Sequence, residues 1–191
     1  MFHLIEPSEE EIRSFMSAQH ESPFSYREVG ASVGEPPENY NVDHNRVQLG
    51  AGEVAWHRAV KAVREWRMFD IPWLRICWPA ALVHVGTEVA VLVKHFGFSS
   101  SNACRIVYVI DEDGAIKRFG FAYGTLLEHA ESGEERFTVE WHSANNEVWY
   151  EILAFSRPRS MLARIGYPLS RALQKKFARD SKEAMLQAVA E

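Results

Sequence analysis

Phe137-Thr138-Val139-Glu140-Trp141-His142 places an apolar residue at each odd position and a polar one at each even position. This is the period-two pattern of a β-strand with one buried face. Downstream, Ala144-Asn145-Asn146 supplies a turn, because asparagine tolerates the positive φ that hairpin turns require, and a second strand follows from Glu147 to Phe155. Upstream, Asp111-Glu112-Asp113-Gly114 marks another hairpin, between β-rich runs at Arg105 to Ile110 and Arg118 to Thr125. Two more such runs, Trp73 to Trp78 and Glu88 to Phe96, lie ahead of these. Short strands separated by turn chemistry predict an antiparallel meander.

Helical periodicity frames the meander on both sides. After Ser156-Arg157-Pro158 it returns with a start near Ser160, an interruption around Gly166 to Pro168, and a long helix from Leu169 to about Ala190. Leu169, Leu173, Phe177, Ser181, Ala184 and Ala188 form its small and apolar stripe, with Arg171, Lys175, Arg179 and Lys182 opposite. Ahead of the meander, a strand from Asp43 to Leu49 leads through Gly50-Ala51-Gly52 into a helix ending at about Trp66. That helix buries Trp56, Ala59, Val60, Val63 and Trp66.

At the start of the chain, Ser8-Glu9-Glu10-Glu11 is a capping-box pattern opening a helix to about Gln19, with Ile12, Phe15 and Met16 on one face. Residues 21–42 read as an irregular segment wrapped on the domain, with one strand around Tyr26 to Val33 and its aromatics Phe24, Tyr26 and Tyr40 packed down. The order strand, helix, antiparallel strands and long terminal helix predicts an α+β, START-like helix-grip fold. In it a curved antiparallel sheet wraps the C-terminal helix and leaves a cavity between them. One domain is expected over residues 1–191: the N-terminal helix and wrapped segment in 1–42, the helix-grip core in 43–191.

Of the 191 residues, 47% are apolar and 25% charged, which argues against disorder and provides enough chain for a core without disulfides or structural metal. A net charge of −5 opposes a nucleic-acid partner. Cys77 and Cys104 lie outside any redox or zinc spacing and read as core residues. The N-terminus turns acidic at Glu9-Glu10-Glu11, unlike a signal peptide, and the apolar stretch Trp78 to Val83 is too short to span a membrane. A cytoplasmic protein is expected.

Gly50-Ala51-Gly52-Glu53-Val54-Ala55 fits the dinucleotide fingerprint, with Asp70 at the right distance, but no βα alternation follows it. The glycines therefore read as a tight strand-to-helix turn. The eight histidines include no metal-binding pair, so no cofactor is expected. Glu134-Glu135 reads as a solvated turn or edge. His129, near Tyr123, Glu134 and Glu135 in sequence, reads first as a solvated loop residue. Charge is polarised along the chain: residues 1–53 hold ten acids against three bases, whereas Arg157 to Lys182 holds eight bases against Asp180.

Phe119-Gly120-Phe121-Ala122-Tyr123-Gly124-Thr125-Leu126, then His129 and Gly133-Glu134-Glu135-Arg136-Phe137, resembles the bacterial and plant family called domain of unknown function 1990. Ser25-Tyr26, Val29-Gly30-Ala31, Leu49-Gly50-Ala51-Gly52, Gly86-Thr87-Glu88-Val89, Arg105-Ile106-Val107-Tyr108 and Ala154-Phe155-Ser156-Arg157-Pro158 extend the likeness over nearly the whole chain. Where the family's motif carries Pro, Gly and a second Pro, this chain has Leu127, Glu128 and Ala130, while Tyr123, Thr125 and His129 stay in place. The resemblance implies residues to watch and no reaction.

Three functions follow from these readings. The first is a binding module for a small apolar or amphipathic ligand, oriented by Tyr123 and Thr125 hydroxyls, by His129 and Glu135, and by Arg105 or Arg157 pairing with a ligand carboxylate. Against it stands the reading in which the aromatics simply fill a core. The second is a cyclase- or hydrolase-type enzyme with His129 or His142 as general base and Glu135 or Tyr123 as partner. The third is a protein-interaction module using the basic terminal helix.

Overall fold

Among the described residues, backbone pairing joins seven expected runs and an unexpected short strand at Phe2–His3 into one antiparallel sheet of eight strands. The computed structural model describes residues 1–78, 80–95, 97–129, 131–159 and 167–191. In chain order these form β1 (Phe2–His3), α1 (Glu9–Gln19), β2 (Asn41–Ala51), α2 (Gly52–Arg64), β3 (Leu74–Cys77), β4 (Glu88–Lys94), β5 (Ser99–Glu112), β6 (Ile116–Thr125), β7 (Glu131–His142), β8 (Glu147–Pro158) and α3 (Tyr167–Ala190). The strands lie in the order β2-β8-β7-β6-β5-β4-β3, with β1 pairing β5 outside that path. The sheet is a curled half-barrel that grips α3, the α+β helix-grip architecture expected from the element order.

Strand alternation sorts the core into two clusters. On the concave side Val89, Val91, Cys104, Ile106, Phe119, Phe121, Phe137, Val139, Tyr150 and Ile152 pack against α2 and α3. On the convex side Cys77, Ala90, Leu92, Ala103 and Leu126 pack under Ile12, Phe15 and Met16 of α1. β4 thus has both faces covered, which is why its run reads as continuously apolar. The capping box forms as expected: Ser8 Oγ accepts from the Glu11 amide at 3.3 Å and Glu11 Oε2 accepts from the Ser8 amide at 2.7 Å.

Several boundaries differ from the sequence expectation. No strand forms over Tyr26 to Val33. Gly30 takes a left-handed φ of 86° and a 3-10 turn covers Ala31–Val33, because the Gly30 and Ser32 amides bond to the Glu134 carboxylate instead of to a neighbouring strand. β5 begins at Ser99 and β7 at Glu131, well before the β-prone residues, since backbone pairing with β4 and β8 carries polar stretches into the sheet. α2 stops at Arg64, and Trp66 adopts φ 57°, turning its ring into the core with its indole N–H on the Ala81 carbonyl at 2.9 Å. The glycine pair makes the strand-to-helix turn, with Gly50 at a bulge in β2 and Gly52 at φ 84°. The expected helical start near Ser160 lies outside the described residues.

α3 docks through Ala178, Ser181, Ala184, Met185 and Val189, all buried. Ser181 Oγ meets Tyr150 OH at 2.9 Å, and Trp73 Nε1 donates to Asp180 at 2.8 Å. Leu169, placed in the stripe by spacing, is instead 59% exposed, in the first turn of the helix at the cavity. The opposite face is also less free than the spacing suggests, for Arg171 folds onto Asp43 of β2. Among the described residues no helix is long and apolar enough to cross a membrane.

Candidate functional site

Between the concave face of the sheet and α3 lies a cavity of about 460 Å³. That falls within the range of roughly 300–1,000 Å³ that takes small molecules. Val91, Val93, Ile152 and Ala154 of the sheet face Leu173, Phe177 and Ala178 of α3 across it. Phe69, Tyr123, Phe137 and Phe177 form an aromatic cluster at this junction, with centroids 5.3 Å apart for Tyr123–Phe137 and 5.6 Å for Phe69–Phe177. The aromatics pack against one another as core residues do, yet they leave this space beside them.

The polar wall comes from strand parity. On β6 and β7 the residues that share a face with Phe121 and Phe137 are Tyr123 and Glu135, and Tyr123 OH donates to Glu135 Oε2 at 2.8 Å. Burial pushes the Glu135 carboxyl up to about 7, with the Asp43 charge adding to the rise and the Tyr123 hydrogen bond opposing it. Burial, and then the Glu135 charge, push the Tyr123 phenol well above its ordinary value.

Around this pair, Thr125 Oγ1 accepts from the Gly133 amide at 3.0 Å and lies 2.6 Å from Ser25 Oγ. Glu131 is raised by burial, opposed by Ser170, Arg171 and Ser156, and its Oε1 is buried with no hydrogen-bond partner among the described residues. Asp43 is held by Arg171, whose Nη2 donates to Oδ1 at 2.7 Å, and Arg171 Nη1 also donates to Gln174 at 2.6 Å. Gln174 in turn donates to Ser156 Oγ at 2.9 Å.

Tyr123, Thr125, His129 and Glu135 all line the cavity. His129 is therefore no solvated loop residue; burial lowers its ring to about 4. Its Nδ1 lies 3.0 Å from the amide nitrogen and 3.1 Å from the carbonyl oxygen of Glu131, so the ring bonds to backbone and to no carboxylate. The remaining sequence candidates lie elsewhere, because they occupy the other parity or the sheet's outer rim. Arg105 points to the convex side, where it binds Glu88 at 2.7 Å and the His20 carbonyl at 2.7 Å. Arg157 is exposed and stacks over Tyr40 at 4.4 Å. His142 sits with Glu140 and Arg46 on the convex face, at 3.1 and 2.8 Å.

Sequence reasoning missed Asp43, Glu131, Phe69 and Trp73 in the cavity wall. For Asp43 the signal was available: Leu49 and Val47 set the inward parity of β2, and counting back by two reaches Asn45 and Asp43. Glu131 follows by the same count from Phe137 through Glu135 once β7 extends to it, whereas Phe69 and Trp73 carry no such signal, since their direction depends on where neighbouring elements pass.

The sequence pattern of the family described as Domain of unknown function (DUF1990) matches residues 25–184. A UPF0548 protein of Dictyostelium discoideum is 36% identical over 99% of this chain and 96% of its own length. A UPF0548 protein of Deinococcus radiodurans is 35% identical over 98% of both. In fold, the chain is similar to the Zhui aromatase/cyclase from Streptomyces sp. R1128, with a TM-score of 0.50, 13% identity, and coverage of 80% of this chain and 94% of that one. With relatives matched along nearly their whole length and the family pattern covering most of the chain, this protein belongs to the DUF1990 family.

Proposed function

We propose that this protein binds a small, mostly apolar molecule in the cavity between its sheet and α3. The observation that carries this reading is the cavity itself: about 460 Å³ walled by aromatic and aliphatic side chains, with the Glu135–Tyr123 pair converging on it. A few polar groups in an apolar wall orient a ligand that apolar burial holds. Thr125 and His129 belong to the same proposal, and Arg105 and Arg157 leave it. The two buried, unpaired thiols, Cys77 and Cys104, suit a reducing compartment, so the cytoplasm is the proposed location.

Ala154→Phe is the direct test, because Ala154 faces the cavity from β8 and a ring there occupies ligand space. The variant is expected to keep its far-UV circular dichroism and cooperative melt while losing the thermal stabilisation conferred by a neutral apolar fluorophore such as prodan. Equal prodan binding by both proteins, or none by either, would sink the binding reading. A catalytic reading has one observation in its favour: a carboxyl titrating near neutrality beside a phenol can give and take a proton.

A further inference from the structure

We propose that the ligand carries a hydrogen-bond-donating head, specifically a cationic amine, on its apolar body, and that Glu135 receives it. This rests on the cavity being a binding site and deepens that reading by naming the head group.

The argument is an inventory of hydrogen bonds and charges. Four strong donors on the wall are committed. Trp73 gives its N–H to Asp180, Gln174 its amide to Ser156, Tyr123 its hydroxyl to Glu135, and Arg171 its guanidinium to Asp43 and Gln174. Acceptors are left over. Only Oε2 of Glu135 is engaged by Tyr123, and Glu131 Oε1 is buried without a partner among the described residues. A buried acceptor lacking a donor is costly, and a ligand N–H removes that cost.

Charge points the same way. Asp43, Glu131 and Glu135 stand in or beside the cavity against Arg171, which is already taken by Asp43, while His129 resists protonation. The arginines that would greet a carboxylate, Arg105 and Arg157, lie on other surfaces. An ammonium meets the carboxylate in a charge-assisted hydrogen bond and the faces of Phe69 and Phe177 through their ring quadrupoles, whereas a carboxylate meets like charge.

The experiment uses prodan displacement at pH 7.5 by three naphthalene ligands differing in the head: 2-(2-naphthyl)ethylamine, 2-(2-naphthyl)ethanol and 2-naphthylacetate. The amine is expected to bind at least about tenfold more tightly than the carboxylate, and Glu135→Gln should collapse that gap to about threefold or less while changing the alcohol little. Retained far-UV circular dichroism and a cooperative melt check that the variant is folded. If prodan binds but the carboxylate competes as well as the amine, or the amine's advantage survives in Glu135→Gln, the head-group inference is overturned and the binding reading stands. If prodan and all three ligands fail to bind the wild-type chain, both fall.

Discussion

Glu134 and Glu135 are adjacent on β7 and therefore point to opposite faces of the sheet, one to each of the molecule's two polar tasks. Glu134 faces the convex side and collects Tyr26 OH at 2.7 Å, the Gly30 amide at 2.8 Å, the Ser32 amide at 3.1 Å and the Ser32 hydroxyl. Neither Glu is the solvated turn residue that the pair suggests in sequence. Glu134→Ala would leave those amides unpaired, so a loss of about 2–4 kcal/mol in denaturant unfolding is expected, with residues 27–40 becoming sensitive to limited proteolysis. Glu135 makes a pH prediction. Its folded value of about 7 exceeds the ordinary 4.5, so between these the native chain binds the extra proton. Its contribution to stability is full below about pH 4.5 and is lost as pH rises through 7, by up to roughly 3 kcal/mol. His129 runs the other way, its contribution being lost as pH falls from 6.5 toward 4. Glu135→Gln removes only the first effect. Its stability relative to wild type should climb between pH 5 and pH 8, and a flat difference would contradict the buried, cavity-facing carboxyl.

Two helices hold the sheet from opposite sides, with unequal consequences. α1 covers Leu92, Ala103 and Leu126 on the convex face. α3 seals the concave face, where its absence would bare Phe69, Tyr123 and Phe137 and strand Tyr150 without Ser181. A chain ending at Pro158 is accordingly expected to show no cooperative melt by circular dichroism. A cooperatively folded truncation would mean that α3 is an accessory to the sheet and not part of its core. Close approach between elements also dictates two glycines. A Cβ at Gly133 would lie 1.9 Å from the Phe155 carbonyl oxygen, and one at Gly124 would lie 2.1 Å from Tyr26 OH, where the N-terminal segment crosses β6.

At the scale of the whole molecule, both core clusters share the same strands, so loss of either should carry the other with it. A single cooperative domain over residues 1–191 is the proposal that follows. The expected outcome is one urea transition, with coincident midpoints by far-UV circular dichroism and by fluorescence of the six tryptophans. Separated midpoints would indicate that residues 1–42 fold as a unit of their own.

Alternation in Phe137 to His142, the turns at Asp111 to Gly114 and Ala144 to Asn146, and the capping box at Ser8 were legible because each is a local property of the chain, set by side-chain period and by turn or cap chemistry. The cysteines' burial and the order of elements followed from the same local rules. What the sequence could not express is which partner a polar stretch meets. Ser99 to Asn102 falls outside the β-rich runs until β4 lies beside it, and residues 26–33 read as a strand until Glu134 takes their amides. The cavity is of the same kind. Tyr123 and Glu135 could be named from the sequence, but their hydrogen bond depends on the register of β6 on β7. The placement of Arg105 and Arg157 outside the cavity, and of Phe69 and Trp73 at it, depends on how the sheet curls around α3. Register and curvature are cooperative properties of all the strands together, and only the tertiary structure decides them.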